Sequence, residues 1–183
     1  KSMFIASQKK KENIAEYIIY MWQIEDIIRA YKLDIDCIKA NIVDLMSLSS
    51  QQEKELLGWY ESLIDMMRRE GVQEKGHLQI NKNTIIDLTD LHKALLYSQK
   101  YPEYAASYYK ALPFIAELKM KQGNDIESDI EVSLSFLYGI LMLRLQKKEI
   151  TESTQQAQGY IVHFLSELSK LYILYKNDEL EFE

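Results

Sequence analysis

Three charged residues interrupt strongly apolar helical sequence, and they are the first candidates for chemistry. Glu25 and Arg29 lie within EYIIYMWQIEDIIRAY (residues 16–31), and Arg144 lies within YGILMLRLQ. Because successive residues of an α-helix are about 100° apart, Glu25 and Arg29 occupy neighbouring turns of one face, beside the apolar stripe. A buried charge must be paired or neutralised, since an unpaired one is costly.

Two hypotheses follow from these charges. A structural ion-pair network is favoured, with Asp26 on another face and solvated. The alternative is a binding protein or enzyme with an inter-helix pocket for an anionic or zwitterionic small molecule, because a guanidinium binds such groups with paired hydrogen bonds. The candidate pocket residues are Glu25, Arg29, Glu61, Arg68, His77 and Arg144. No catalytic residue can be assigned among them.

A polar break, EGVQEKGHLQINKN (residues 70–83), separates two apolar helical patterns. Backbone N–H groups are free at helix ends, so His77 and its polar neighbours could bind a ligand there. Turn chemistry is the favoured interpretation: Gly71 and Gly76 would end one helix, and Asn81 or Asn83 would cap the next.

A metal site is not predicted. Glu74 and His77 have the Glu-x-x-His spacing of di-iron helical bundles, but such bundles need two of these motifs. The other two histidines, His92 and His163, have no glutamate three residues before them. No cofactor is predicted either. The single cysteine, Cys37, is interpreted as a small buried residue and not as a nucleophile.

The overall composition narrows the partners and the compartment. A net charge of -6 disfavours nucleic acid. The longest apolar run, residues 136–143, is far shorter than the about 20 residues of a membrane span. With one cysteine and no apolar leader after residue 6, the expected location is the cytoplasm.

The helical period of the apolar residues, with only 6 Gly and 2 Pro in 183 residues, predicts an all-α single-domain bundle of about seven helices. The domain is expected to cover residues 3–177, and residues 178–183 to form a solvated acidic tail that need not be ordered. The predicted helices cover approximately residues 10–31, 35–46, 50–70, 85–98, 102–122, 128–148 and 151–176.

Local signals define several of these ends. Asp34 or Asp36 would cap the second helix, Ser50 and Glu53 have capping-box spacing, and Asp125 or Ser128 would cap the sixth helix. Thr151 would open the last helix. Pro102 suits a first turn, whereas Pro113 removes a backbone donor inside the helix, so we expect a kink or break near Leu112. The basic run at residues 9–11 opposes the dipole of a helix N-terminus, so it should precede the regular part of the first helix or point outward.

Five segments together resemble a known family. They are MFIASQKKKENIAEYIIYMWQIEDIIRAYKLDID, GWYESLIDMMRREGVQEKGHLQINKN, LTDLHKALL, YYKALPFIAELK and LYGILMLRLQKKEIT. The chain is similar, from Met3 to its acidic end, to an uncharacterised bacterial family of domains of unknown function of about this length. The resemblance implies a cytoplasmic bacterial protein with Met3 as its native start, and it supplies no activity, cofactor or site residue.

The first functional hypothesis is therefore a non-enzymatic protein that binds a protein partner, most simply another copy of itself as a homodimer. The first and sixth predicted helices carry more apolar positions than one narrow stripe needs, and Trp22, Trp59 and many tyrosines add large apolar side chains. The small-molecule pocket described above is the second hypothesis.

Overall fold

The fold is all-helical, as predicted. The computed structural model describes residues 2–123 and 127–183, and within them the chain forms eight α-helices, one π-helical turn and no strand. The helices are α1 (Ser2–Glu12), α2 (Ile14–Ala30), α3 (Ile35–Ile38), α4 (Ser50–Arg69), α5 (Gln79–Ser98), α6 (Pro102–Gln122), α7 (Asp129–Leu145) and α8 (Glu152–Lys176); the π-helical turn, Lys39–Val43, follows α3 directly.

The first predicted helix is in fact two helices. Asn13 separates α1 from α2, and its side-chain oxygen accepts a hydrogen bond from the Glu16 N–H at 3.2 Å, which caps α2. Lys9 to Lys11 therefore lie in the last turn of α1, where the helix dipole favours positive charge. The predicted start at residue 10 is wrong because the cap lies inside a charged, helix-forming run.

Most of the other helix ends follow the sequence signals. Ser128 and Thr151 cap α7 and α8 through their side-chain oxygens, as predicted, whereas Asp125 lies outside the described residues. Asp34 is the cap of α3. Gly71 has a left-handed φ of 70° directly after α4 and ends it, which confirms that prediction.

The predicted capping box of α4 is one residue out of register. Ser49, and not Ser50, accepts from the N–H of Gln52, and the Gln52 side chain accepts from the N–H of Ser49. Either serine has an acid or amide three residues later, so the spacing alone does not choose between them.

Of the kink or break predicted near Leu112, the break is absent, because α6 runs without interruption through Pro113; the kink stays a prediction. The carbonyl that Pro113 leaves without a helical donor belongs to Tyr109, whose side chain is 59% exposed. Solvent can replace the lost hydrogen bond at such a surface position, so proline is tolerated there.

Two apolar cores share one helix. The first core is built from α5, α6, α7, α8 and the first half of α2, from Ile14 to Trp22. The second is built from α1, α3, the π-helical turn, α4 and the second half of α2, from Met21 to Ile28. Because α2 contributes to both cores, it is apolar on most sides, and charged residues within it lie close to buried surroundings.

The acidic tail lies against the helical body. The side chains of Asp178, Glu179, Glu181 and Glu183 are exposed. Leu180 and Phe182 alternate with them and pack against the first core. The tail therefore has one solvated and one apolar side.

Candidate functional site

The site is centred on Glu25, whose side chain is only 1% exposed. One carboxylate oxygen lies 2.7 Å from His77 Nδ1. The other accepts hydrogen bonds from the Leu78 backbone N–H at 2.8 Å and from Asn81 Nδ2 at 2.9 Å. Both oxygens of this buried carboxylate thus have hydrogen-bonding partners, as a buried charge requires.

The position of Glu25 explains how α5 begins without a cap of its own. Leu78 is the N-cap residue of α5 and has no side chain that can accept a hydrogen bond. Glu25 supplies the acceptor from α2, and its negative charge lies at the helix end that favours anions. The contact therefore ties α2 to the start of α5 across more than fifty residues of sequence.

His77 lies between the buried carboxylate and the surface. Its imidazole stacks on Trp22, with ring centroids 4.5 Å apart and an interplanar angle of 18°, and its side chain is 33% exposed. Within the described residues Nε2 has no hydrogen-bond partner.

Arg29 fastens the loop that precedes α5. Its guanidinium donates to the Val72 carbonyl at 3.2 and 3.0 Å and also to the Gly76 carbonyl. A third nitrogen donates to Asp26 at 2.9 Å. Arg29 therefore satisfies carbonyl groups of the loop, while Glu25 satisfies an N–H group at the loop's end.

The predicted pairing of Glu25 with Arg29 does not form. The i,i+4 spacing permits it, but the loop offers acceptors to Arg29 and donors to Glu25, and each side chain takes its own partners. Arg144 does not join them, since it donates to Gln158 at 3.0 Å on the exposed surface. The predicted network of these three residues is wrong in its partners, although two of the three are held by hydrogen bonds at one loop.

Asp26 is exposed, as predicted, and it is also hydrogen-bonded. Its side chain is 50% exposed, but it accepts hydrogen bonds from Arg29 and from the hydroxyl of Tyr138 on α7. Burial, together with the hydrogen bond to Asp26, raises the pKa of Tyr138 above its usual value, so the phenol stays protonated as the donor. This contact ties α7 to α2 beside Trp22.

The remaining predicted pocket residues lie apart from this centre. Arg68 donates to the Leu33 carbonyl at 3.2 Å, and Glu61 is exposed along α4 in a shallow cleft with Ser50 and Lys54. The structure therefore brings together Glu25, His77 and Arg29 from the six candidates. A ligand-binding role for the six residues stays a prediction.

Trp22 and Asn81 belong to the site but are not among the six residues predicted from the sequence. Asn81 was expected to cap a helix, but α5 already begins at Gln79, so Asn81 lies in the first turn, fully buried, with its amide on Glu25. Asn83 does not cap α5 either, because its side chain accepts from Gln79 within the helix. The available signal was the four-residue spacing of His77 and Asn81.

Two buried polar atoms at this site lack partners. Trp22 Nε1 and Asn81 Oδ1 have no hydrogen-bond partner within the described part of the chain. One is a donor and the other an acceptor, and their residues contact His77 and Glu25 respectively. Unsatisfied buried groups are uncommon in folded proteins, so these two atoms are exceptions among the buried polar groups of the described residues.

A separate buried cluster in the first core contains His92. Its Nδ1 lies 2.6 Å from the hydroxyl of Tyr104, and its ring meets Tyr108 edge-on. Burial lowers the pKa of His92 to about 4, so the imidazole is neutral at physiological pH. Tyr108 in turn donates to Asp129 at the start of α7.

Cys37 is exposed, and its predicted burial is wrong. The residue lies on the short helix α3, which has only one buried side. Its thiol donates a hydrogen bond to Asp34 at 3.4 Å, and this contact raises the pKa of Cys37. A thiol that resists ionisation is a weak nucleophile.

Metal ligands do not converge in the described ranges, where no three His, Cys, Asp or Glu side chains are placed to hold one ion. Glu74, the partner of His77 in the Glu-x-x-His spacing, is exposed, while His77 faces Glu25 instead. Nor does any helix of residues 2–123 and 127–183 combine the length and hydropathy needed to cross a membrane.

The fold and site define an all-helical protein in which a buried carboxylate and a guanidinium fasten one inter-helix loop. The chain belongs to the family of the domain of unknown function DUF4924, whose model matches residues 3–179. Comparison with curated proteins and with solved structures gives no match.

Proposed function

We propose that the protein acts through protein–protein contact, as a homo-oligomer that pairs through the second half of α7. The observation that supports this is an apolar helix that its own chain covers only in part. The supporting residues, which we call the α7 end, are Gly139 to Leu145.

The two halves of α7 differ in burial although both are apolar. Ile130, Val132, Ser133 and Leu134 in the first half are buried, whereas Ile140 is the one buried residue of the α7 end. Leu145 is 60% exposed, and Leu141, Met142 and Leu143 are half-buried. A helix that is hydrophobic on all sides is normally covered on all sides, so the α7 end is suited to cover by another molecule.

The surroundings of the α7 end also fit an interface. Arg144, Lys147 and Lys148 lie exposed beside the apolar residues and would form a charged rim. At Gly139 a Cβ atom would meet nothing within 4 Å, so a neighbouring helix could approach the backbone closely there. A second copy is the simplest partner, because a twofold axis covers the same apolar surface on both chains.

The experiment compares two exposed leucines by light scattering. Leu145→Glu places a charge on the α7 end, whereas Leu45→Glu makes the same change at a 78% exposed leucine elsewhere. We expect the wild type and Leu45→Glu to have a mass of twice 21.6 kDa, and Leu145→Glu to have the monomer mass. A monomeric wild type at micromolar concentration would reject self-association. If both variants had the monomer mass, the α7 end would be rejected as the interface.

We also propose that the protein acts in the cytoplasm of a bacterium. The net charge of -6 supports a protein partner over nucleic acid. The exposed, protonated thiol of Cys37 is compatible with a reducing compartment.

A second candidate function is binding of a small molecule beside His77. The unpartnered Trp22 Nε1 and Asn81 Oδ1 favour it. Because Arg29 is already occupied by carbonyl groups and Asp26, a neutral ligand with a hydroxyl or amide group fits better than the anionic or zwitterionic ligand predicted from sequence. Titration with ethylene glycol or acetamide should shift the NMR signal of the Trp22 indole N–H; an unchanged signal at saturating probe would reject this candidate.

A further inference from the structure

The segment Leu180–Phe182 lies in a groove between the start of α6 and the end of α8. Residues 179–183 follow the last helix and are not helical. Leu180 and Phe182 pack against the first core, and the Phe182 ring lies 6.4 Å from Tyr101 and 6.5 Å from Tyr175, measured between ring centroids. An irregular segment thus places two alternate side chains on one apolar surface.

Tyr101 recognises the backbone between those two side chains. Its hydroxyl donates to the Glu181 carbonyl at 2.8 Å and accepts from the Glu181 N–H at 3.1 Å. Both polar groups of one peptide residue are therefore satisfied by a single phenol, while the Glu181 side chain is exposed. Such a contact can hold any residue except proline at this position, because only the backbone N–H and carbonyl take part.

These contacts are those of a peptide-binding groove. Backbone hydrogen bonds supply affinity that is independent of sequence, and the surfaces under alternate residues supply selectivity. Tyr101 also lines a neighbouring open cleft of about 280 Å³, together with Pro102, Tyr104 and Leu171. A longer peptide than Leu180–Phe182 therefore has room to bind.

We infer that this groove binds an extended peptide of a partner protein with the pattern leucine–any residue–phenylalanine, and that Leu180–Phe182 occupies it until the partner arrives. A segment joined to α8 by a few residues has a high effective concentration at the groove, so it competes with any free peptide. The free groove is then only a fraction of the population, and the apparent affinity of the partner is reduced by that fraction.

The test uses the full chain and a fluorescein-labelled peptide of residues 177–183, NDELEFE. In the variant Leu180→Ser with Phe182→Ser, the chain's own segment no longer fills the groove, and fluorescence anisotropy should show binding at least about tenfold tighter than for the wild type. The matched control peptide NDESESE keeps the acidic residues and should not bind. Equal binding of the two peptides, or no gain in the variant with an unchanged circular dichroism spectrum, would overturn the inference.

A second measurement does not depend on that variant. In the unaltered chain, the amide hydrogen of Glu181 should exchange slowly, and saturating NDELEFE should increase its exchange rate by displacing the segment. Tyr101→Phe removes the hydroxyl that accepts the hydrogen bond from the Glu181 N–H, so the amide hydrogen of Glu181 should exchange fast even without peptide. A rate that the peptide does not change would show that the groove does not accept a second segment.

Discussion

Replacing Glu25 by alanine tests whether the buried carboxylate holds the junction of α2 and α5. The variant removes the shared acceptor of His77, the Leu78 N–H and Asn81. A buried donor left without its acceptor costs about 1–3 kcal/mol, so the loss of the acceptor for two buried N–H groups and for His77 should cost about 3–5 kcal/mol in total. For a chain of this size, that corresponds to a melting temperature lower by about 6 to 20 °C.

The relative losses in the free energy of unfolding of three variants are more informative than the loss for Glu25→Ala alone. His77 makes one of the three contacts and is 33% exposed, so His77→Ala should cost about 1–2 kcal/mol. Glu61→Ala is the matched control, because it makes the same change as Glu25→Ala at an exposed helical position, and it should stay within about 0.5 kcal/mol of the wild type.

Urea unfolding followed by circular dichroism measures all three free energies of unfolding. In a Trp59→Phe background, the fluorescence of Trp22, which stacks on His77, reports on the site itself. A loss below about 1 kcal/mol for Glu25→Ala would refute the reasoning, because the donors would then not depend on the carboxylate. Equal losses for Glu25→Ala and His77→Ala would show that the histidine contact alone matters.

Three further predictions concern pH, helix propensity and the loop. The imidazole of His92 is held neutral, with a pKa of about 4 against an ordinary value of 6.5, so its contribution to stability is complete above pH 6.5 and is lost as the pH falls towards 4. The expected loss in the free energy of unfolding is about 3 kcal/mol. Urea unfolding at several pH values should give His92→Gln a flatter stability profile than the wild type over that range. Gly58→Ala should raise the melting temperature by about 2–4 °C, since alanine is favoured by about 1 kcal/mol in a helix and its Cβ would meet nothing within 4 Å; a lower melting temperature would contradict this. Arg29→Ala should destabilise by about 1.5–3 kcal/mol and speed the amide exchange of residues 72–78, whereas Arg69→Ala, which breaks an exposed pair with Asp65, should cost at most about 1 kcal/mol.

The helices could be predicted from the sequence where local chemistry decides them. The side chains of Ser128 and Thr151 accept hydrogen bonds from backbone groups three residues away, so the signal and the structure are equally local. The start of α2 was predicted wrongly because its local signal is hidden by the neighbouring residues. Asn13 is a strong cap, but it is surrounded by helix-forming Lys and Glu residues that hide the boundary.

The candidate site could be predicted only in part, because its contacts join distant segments. The sequence correctly predicts Glu25 and Arg29 as charges beside the core. Their helix, α2, has more apolar residues than one buried face needs because it contributes to both cores. Their partners, His77 and the Val72 carbonyl, lie more than forty residues further along the chain. Helical periodicity carries no information about contacts at that separation, so an i,i+4 pair was the nearest available interpretation.

The most direct test of pairing through the α7 end is amide hydrogen exchange of the wild type at high and low protein concentration. Pairing predicts that residues 139–145 exchange more slowly at high concentration, because a second copy covers them, while residues 129–135 of the same helix do not change. Exchange that is independent of concentration throughout α7, at concentrations that bracket any change in mass, would contradict the proposed interface.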